Sequence, residues 1–118
     1  QIYYAFDEAL TELMEEGVAK RIQRYKKCSA LIRDRMAKFG VKPLLTPERL
    51  SNTITAYHLP DGVTYQSLHD RLKEQGYVIY AGQGKLESKV FRVANMGALT
   101  EAQLVGFLDA FEQICGAA

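Results

Sequence analysis

The sequence predicts one α/β domain of the α+β type, a small, mainly antiparallel sheet with helices on one face. Three observations predict it. Apolar residues recur at helical spacing in several segments, and shorter segments between them are rich in β-branched and aromatic residues. The resulting order is α, α, β, α, β, β, α. The last two strands are joined by a loop too short for a crossover helix, so they must pair antiparallel. A chain of 118 residues is long enough to bury a single core.

Taken in order, Ile2, Phe6, Ala9, Leu10 and Leu13 put an apolar stripe on a helix over residues 1–16. Gly17 can end it, as a left-handed cap or a kink. A second helix spans about Val18 to Phe39. Its inner face is Val18, Ile22, Tyr25, Ser29, Ile32, Met36 and Phe39, and Gly40 stops it. Lys42–Leu45 is a candidate strand, confined to a sheet edge because Pro43 has no N–H to donate. Thr46, Pro47 and Glu48 read as the cap, first-turn proline and acid of one brief helical turn. Thr53–Leu59 is a strand, and Pro60-Asp61-Gly62 is a turn. Thr64–Gln75 is a short helix burying Tyr65, Leu68 and Leu72, with Gly76 at its end. Tyr77–Tyr80 is the next strand, Ala81–Ser88 a glycine-bearing loop, and Lys89–Ala94 the last strand. The final helix opens on a capping box of Thr100 and Gln103, with Leu99 facing Leu104 as a hydrophobic staple. Its apolar face is Leu104, Phe107, Leu108, Phe111, Ile114 and Cys115.

Composition narrows the function. Fifteen basic and fourteen acidic residues leave a net charge of +1, which gives no general pull toward nucleic acid or an anionic membrane. Lys20, Arg21, Arg24, Lys26 and Lys27 share a helix face, but no aromatic platform is interleaved with them, so a solvated surface is expected. No apolar run approaches the roughly 20 residues of a membrane span. The first ten residues hold Asp7 and Glu8 and lack a basic start, unlike a signal peptide. The expectation is a cytoplasmic protein with no membrane or nucleic-acid partner. Cys28 and Cys115 lie far apart inside helical patterns and are expected to be buried, reduced thiols. A helical pattern is already running at Gln1, without a cap, so a preceding segment is expected.

Catalytic hardware is sparse. His58 and His69 lack metal-ligand spacing, the serines lack histidine and carboxylate partners, and the acids show no readable pairing. Gly82-Gln83-Gly84 is a G-x-G followed by a strand, whereas a dinucleotide fingerprint runs into a helix whose free amides meet the pyrophosphate. It is either a flexible hairpin loop or a backbone bend lining a site, with Gly82 and Gln83 as secondary candidates for substrate contact. Arg92 stands out. It lies in Val90-Phe91-Arg92-Val93-Ala94, apolar on both sides, and a guanidinium in such a strand needs an anion. That anion is either a carboxylate of the protein or a bound ligand held by two parallel donors.

The stretches Gly76-Tyr77-Val78-Ile79-Tyr80-Ala81-Gly82 and Val90-Phe91-Arg92-Val93-Ala94-Asn95-Met96-Gly97 resemble the C-terminal signature of class V aminotransferases, fold-type-I enzymes dependent on pyridoxal phosphate. Within the class the likeness is nearest to the 2-aminoethylphosphonate–pyruvate aminotransferases. Glu16-Gly17-Val18-Ala19-Lys20-Arg21 with Arg24-Tyr25, and Ser51-Asn52-Thr53-Ile54-Thr55-Ala56, resemble two further motifs of that family. Ala94 and Ala81 stand where many relatives have Gly and Pro. The resemblance implies that residues 1–118 are a C-terminal small domain, with 1–39 as connecting helices packed on a large domain and 40–118 as the sheet-and-helix core. It implies a small-molecule amino donor and a 2-oxo acid as partners, and a homodimeric intact enzyme. It puts the cofactor's lysine and the acid facing its pyridine nitrogen in the large domain. This chain then holds no catalytic, cofactor-binding or metal-binding residue, and Arg92 grips the anionic end of the substrate. An alanine–glyoxylate or serine–pyruvate enzyme is the alternative within the class. A stand-alone ligand-binding regulatory module is the alternative outside it.

Overall fold

The computed structural model describes residues 1–116. Two helices, α1 (Ile2–Glu16) and α2 (Val18–Lys38), precede a single-turn 3-10 helix at Pro47–Arg49. Strand β1 (Ile54–His58), helix α3 (Tyr65–Glu74), strand β2 (Tyr80–Ala81), a second 3-10 turn at Gly84–Leu86, strand β3 (Val90–Ala94) and helix α4 (Glu101–Gly116) follow. The sheet has the order β1-β3-β2, and both pairings are antiparallel. The last strand along the chain is therefore the central one.

Period-two alternation separates the two faces of the sheet. Thr55 and Tyr57 of β1 and Phe91 and Val93 of β3 are buried against the helices. Phe91 stacks on Tyr57 at 5.7 Å and on Phe111 of α4 at 5.6 Å between ring centroids. Ile32 and Met36 of α2, Leu68 and Leu72 of α3, and Leu104 and Leu108 of α4 close the core around this stack. Each large apolar side chain so buried is worth about 1.5–3 kcal/mol relative to exposure. Burial also pushes the Tyr57 phenol up to about 12.

The starts of α3 and α4 agree with the sequence signals, whereas Thr46 makes no side-chain cap on the Pro47–Arg49 turn. Thr64 Oγ1 accepts from the Ser67 N–H at 3.2 Å. At the capping box, the Gln103 N–H donates to Thr100 Oγ1 at 3.2 Å, and the Thr100 N–H donates to Gln103 Oε1 at 2.9 Å. The α1–α2 break falls on Gly17, whose φ of 84° with ψ of 136° lies outside the left-handed helical region, so it is a sharp corner and not a left-handed cap. The helix α4 runs through Gly116 instead of ending before it.

Two expected strands shrink, for physical reasons. Tyr77–Tyr80 reduces to Tyr80–Ala81, because the Tyr77 N–H still closes the end of α3 on the Leu72 carbonyl at 2.9 Å. The Ile79 carbonyl is in turn taken by the Tyr65 hydroxyl at 3.1 Å. Lys42–Leu45 reduces to one bridge, Pro43 opposite Tyr57, on the outer edge of β1. Leu44 N–H donates to Ala56 and His58 N–H to Lys42, so the missing N–H of Pro43 costs the sheet nothing. Cys28 is buried as expected, and Cys115 is only partly so; both are free thiols.

Candidate functional site

The face of the sheet turned away from the helices is open. The register sets its residues in rows: Ala56, Arg92 and Tyr80 lie side by side across the three strands, with Ile54 opposite Ala94 in the neighbouring row. Cross-strand partners share a face, so Arg92 is a lone cation at the centre of a mostly apolar floor. Its side chain is half-buried and leans toward the β2 edge, where Nε donates to the Ala81 carbonyl at 2.8 Å. Among the described residues no carboxylate pairs with it. The protein thus fixes the guanidinium through Nε alone and leaves its two terminal nitrogens without a protein anion. A planar fork held in this way presents two parallel donors to a carboxylate or a phosphonate.

The glycine loop supports that placement. Gly82 donates its N–H to the Val90 carbonyl at 2.9 Å. A Cβ added there would collide with the Leu86 carbonyl and come within 2.7 Å of Val90 Cγ2. Glycine is required because the loop folds back onto β3, which buries Val90 on the otherwise open face. Gln83 is exposed and opens the 3-10 turn that follows. A pocket of about 310 Å³ lies between residues 76–79 and the start of α4, but Arg92 does not line it.

The histidines are not brought together. His58 is exposed on the open face, opposite Val90 in the row next to Arg92, and His69 Nδ1 lies 2.9 Å from its neighbour Asp70. Among the described residues no cluster of His, Cys, Asp or Glu could hold a metal ion, and no helix is long and apolar enough to cross a membrane.

Several contacts were not readable from spacing. The basic face of α2 is partly engaged: Glu16 accepts from Arg21 Nε at 2.5 Å and from Arg24 Nε at 2.6 Å. The Arg24 and Arg21 guanidinium groups hold its carboxyl down at about 2. Arg24 Nη1 also donates to the Gly97 carbonyl at 2.6 Å, while the Gly97 N–H donates to the Tyr25 hydroxyl at 3.2 Å. Buried Asn95 donates through Nδ2 to the Asn52 carbonyl at 2.9 Å and to the Tyr25 carbonyl at 3.4 Å. The segment leaving the Arg92 strand is therefore stitched to α2. Only the recurrence of Arg24-Tyr25 and Asn95-Met96-Gly97 within the same family motifs could have hinted at this.

The fold is that of the C-terminal small domain of class V, fold-type-I aminotransferases. The alanine–glyoxylate aminotransferase of Nostoc superposes with a TM-score of 0.88 at 32% identity, over 95% of this chain and 30% of that one. The ureidoglycine–glyoxylate aminotransferase of Bacillus subtilis superposes with a TM-score of 0.90 over 97% of this chain, at 23% identity. In sequence the chain is similar to 2-aminoethylphosphonate–pyruvate transaminases. That of Klebsiella pneumoniae is 37% identical over 111 residues and that of Aeromonas hydrophila 39% identical over 114, covering 92% and 94% of this chain. The chain spans 30% of the length of these relatives. No family-wide sequence profile matches it.

Proposed function

We propose that this chain is the small domain of a pyridoxal-phosphate-dependent aminotransferase that moves an amino group from 2-aminoethylphosphonate to pyruvate, giving phosphonoacetaldehyde and alanine. Arg92 is its substrate-anion clamp. The observation that carries this reading is a half-buried guanidinium on an open sheet face, anchored through Nε and lacking a protein carboxylate. It holds the phosphonate of the donor, then the carboxylate of pyruvate, fixing each in distance and angle. It moves no proton. Gly82 and Gln83 shape the loop beside it.

Neither lysine beside the Arg92 loop suits a Schiff base. Lys85 and Lys89, the lysines flanking the loop, are exposed, and a Schiff-base lysine works from a desolvated position. The cofactor, which supplies the electron sink, belongs to the rest of the intact enzyme. Residues 1–39 connect to that larger part; α2 packs inward through Ile32 and Met36, and it is α1, with Ile2, Phe6 and Met14 exposed at 85%, 61% and 83%, that packs on it. By resemblance the intact enzyme is a homodimer. The Nostoc relative favours a second reading, an enzyme of the alanine–glyoxylate type using the same arginine.

The test is made on the full-length enzyme. Arg92→Ala should lower kcat/KM toward 2-aminoethylphosphonate and toward pyruvate by roughly a hundred- to several-thousand-fold, about 3–5 kcal/mol of lost transition-state binding. Arg92→Lys should restore only part of it, having charge without the fork. Cofactor occupancy and Tm should stay close to wild type. Unchanged kcat/KM, or a collapsed Tm, ends the clamp reading. Faster turnover of alanine with glyoxylate than of 2-aminoethylphosphonate with pyruvate selects the second reading.

A further inference from the structure

Tyr80 is 63% exposed, unusual for an aromatic residue in the sheet, and nothing in its own packing accounts for it. The register explains where it stands. It is the direct cross-strand partner of Arg92 on β2, and Arg92's other partner, Ala56 on β1, carries no polar group. The guanidinium leans toward the same β2 edge to reach Ala81. Two side chains of comparable length, one cationic and one ending in a phenol, therefore rise together from one row of the open face.

The donor count has a chemical consequence. With Nε committed to the Ala81 carbonyl, the terminal nitrogens of Arg92 match two oxygens. A carboxylate has two and is satisfied. A phosphonate has three, and its third oxygen needs another donor once water is excluded. In the row of Arg92, Tyr80 is the one side chain able to give it. We infer that Tyr80 is a specificity-determining residue whose hydroxyl donates to the third oxygen of a phosphonate end and is idle toward a carboxylate end. This inference rests on the reading of Arg92 as the anion clamp.

The experiment uses full-length enzyme and two dead-end inhibitors that differ only at the anion, ethylphosphonate and propionate. Competitive inhibition constants are measured at a pH where the phosphonate is doubly charged. Tyr80→Phe should weaken ethylphosphonate about ten- to a hundredfold, the worth of a hydrogen bond to a charged group, and propionate less than about twofold. Equal weakening of both, or of neither, overturns the sorting role. Arg92→Lys in parallel separates the layers. If it weakens both inhibitors while Tyr80→Phe moves neither, the clamp stands and the sorting role falls. If it leaves both unchanged, the clamp reading falls and takes the inference with it.

Discussion

Helices α1 and α4 are nearly the same length, 15 and 16 residues, and both show apolar residues at helical spacing. Their fates differ completely. Helix α4 buries Leu104, Phe107, Leu108, Ala110, Phe111 and Ile114, whereas no described residue of α1 is buried. Helix α4 opens on a reciprocal capping box, and α1 has no side-chain cap. An apolar stripe states that a helix needs a partner, but it does not say whether that partner lies within the chain. For α4 the partners are within the chain: the sheet at Phe91 and helices α2 and α3. For α1 the stripe of Ile2, Phe6 and Leu10 faces outward.

The contrast can be broken most sharply at Phe111. It is fully buried and stacked on Phe91 and Phe39, so Phe111→Ala should cost about 3–5 kcal/mol in urea unfolding of the isolated chain. A loss under about 1 kcal/mol would mean that the α4 core is not what holds the domain together. Next in size, Thr100→Ala removes the cap and should cost about 1 kcal/mol by the same measurement. Phe6→Ala should change the isolated chain by no more than about 0.5 kcal/mol. In the full-length enzyme it should cost several times more if α1 packs there. Equal effects in both settings would leave α1 without a partner.

The smallest expected effect lies at the corner between α1 and α2. Glu16 sits at about 2, below its ordinary 4.5, because Arg24 and Arg21 donate to it. A carboxyl depressed by folding contributes stability that is present above the unfolded value and fades as pH falls from about 4.5 toward 2. Glu16→Gln should flatten that part of the stability–pH curve, lowering stability modestly at neutral pH and converging with wild type as pH falls toward 2. A wild-type slope that persists in the variant would assign it to Glu48, Asp70 and Glu101, also held below their usual range.

Much of the fold was legible in the residues because local signals and burial agree there. The capping box of α4, the alternation in β1 and β3 and the short loop before β3 each carry their own chemistry. What stayed hidden depends on contacts across long sequence distances. Residues 77–79 have strand composition, yet Leu72 and Tyr65 claim their backbone groups. Arg92 was marked by its apolar neighbours. That a carbonyl anchors it, and that Tyr80 stands beside it, follows only from a register no spacing could give. No spacing pairs Glu16 with a base, and only the break at Gly17 brings Arg21 and Arg24 onto it.

The Arg24 guanidinium touches both Glu16, at the end of α1, and the carbonyl of Gly97, just beyond the strand that carries Arg92. A body that seated the exposed α1 would therefore have a handle on the far end of β3. Tilting α1 relative to the sheet must either break these hydrogen bonds or drag residues 95–97 with it. The arm and the strand that carries Arg92 are thus tied to each other through one side chain, Arg24.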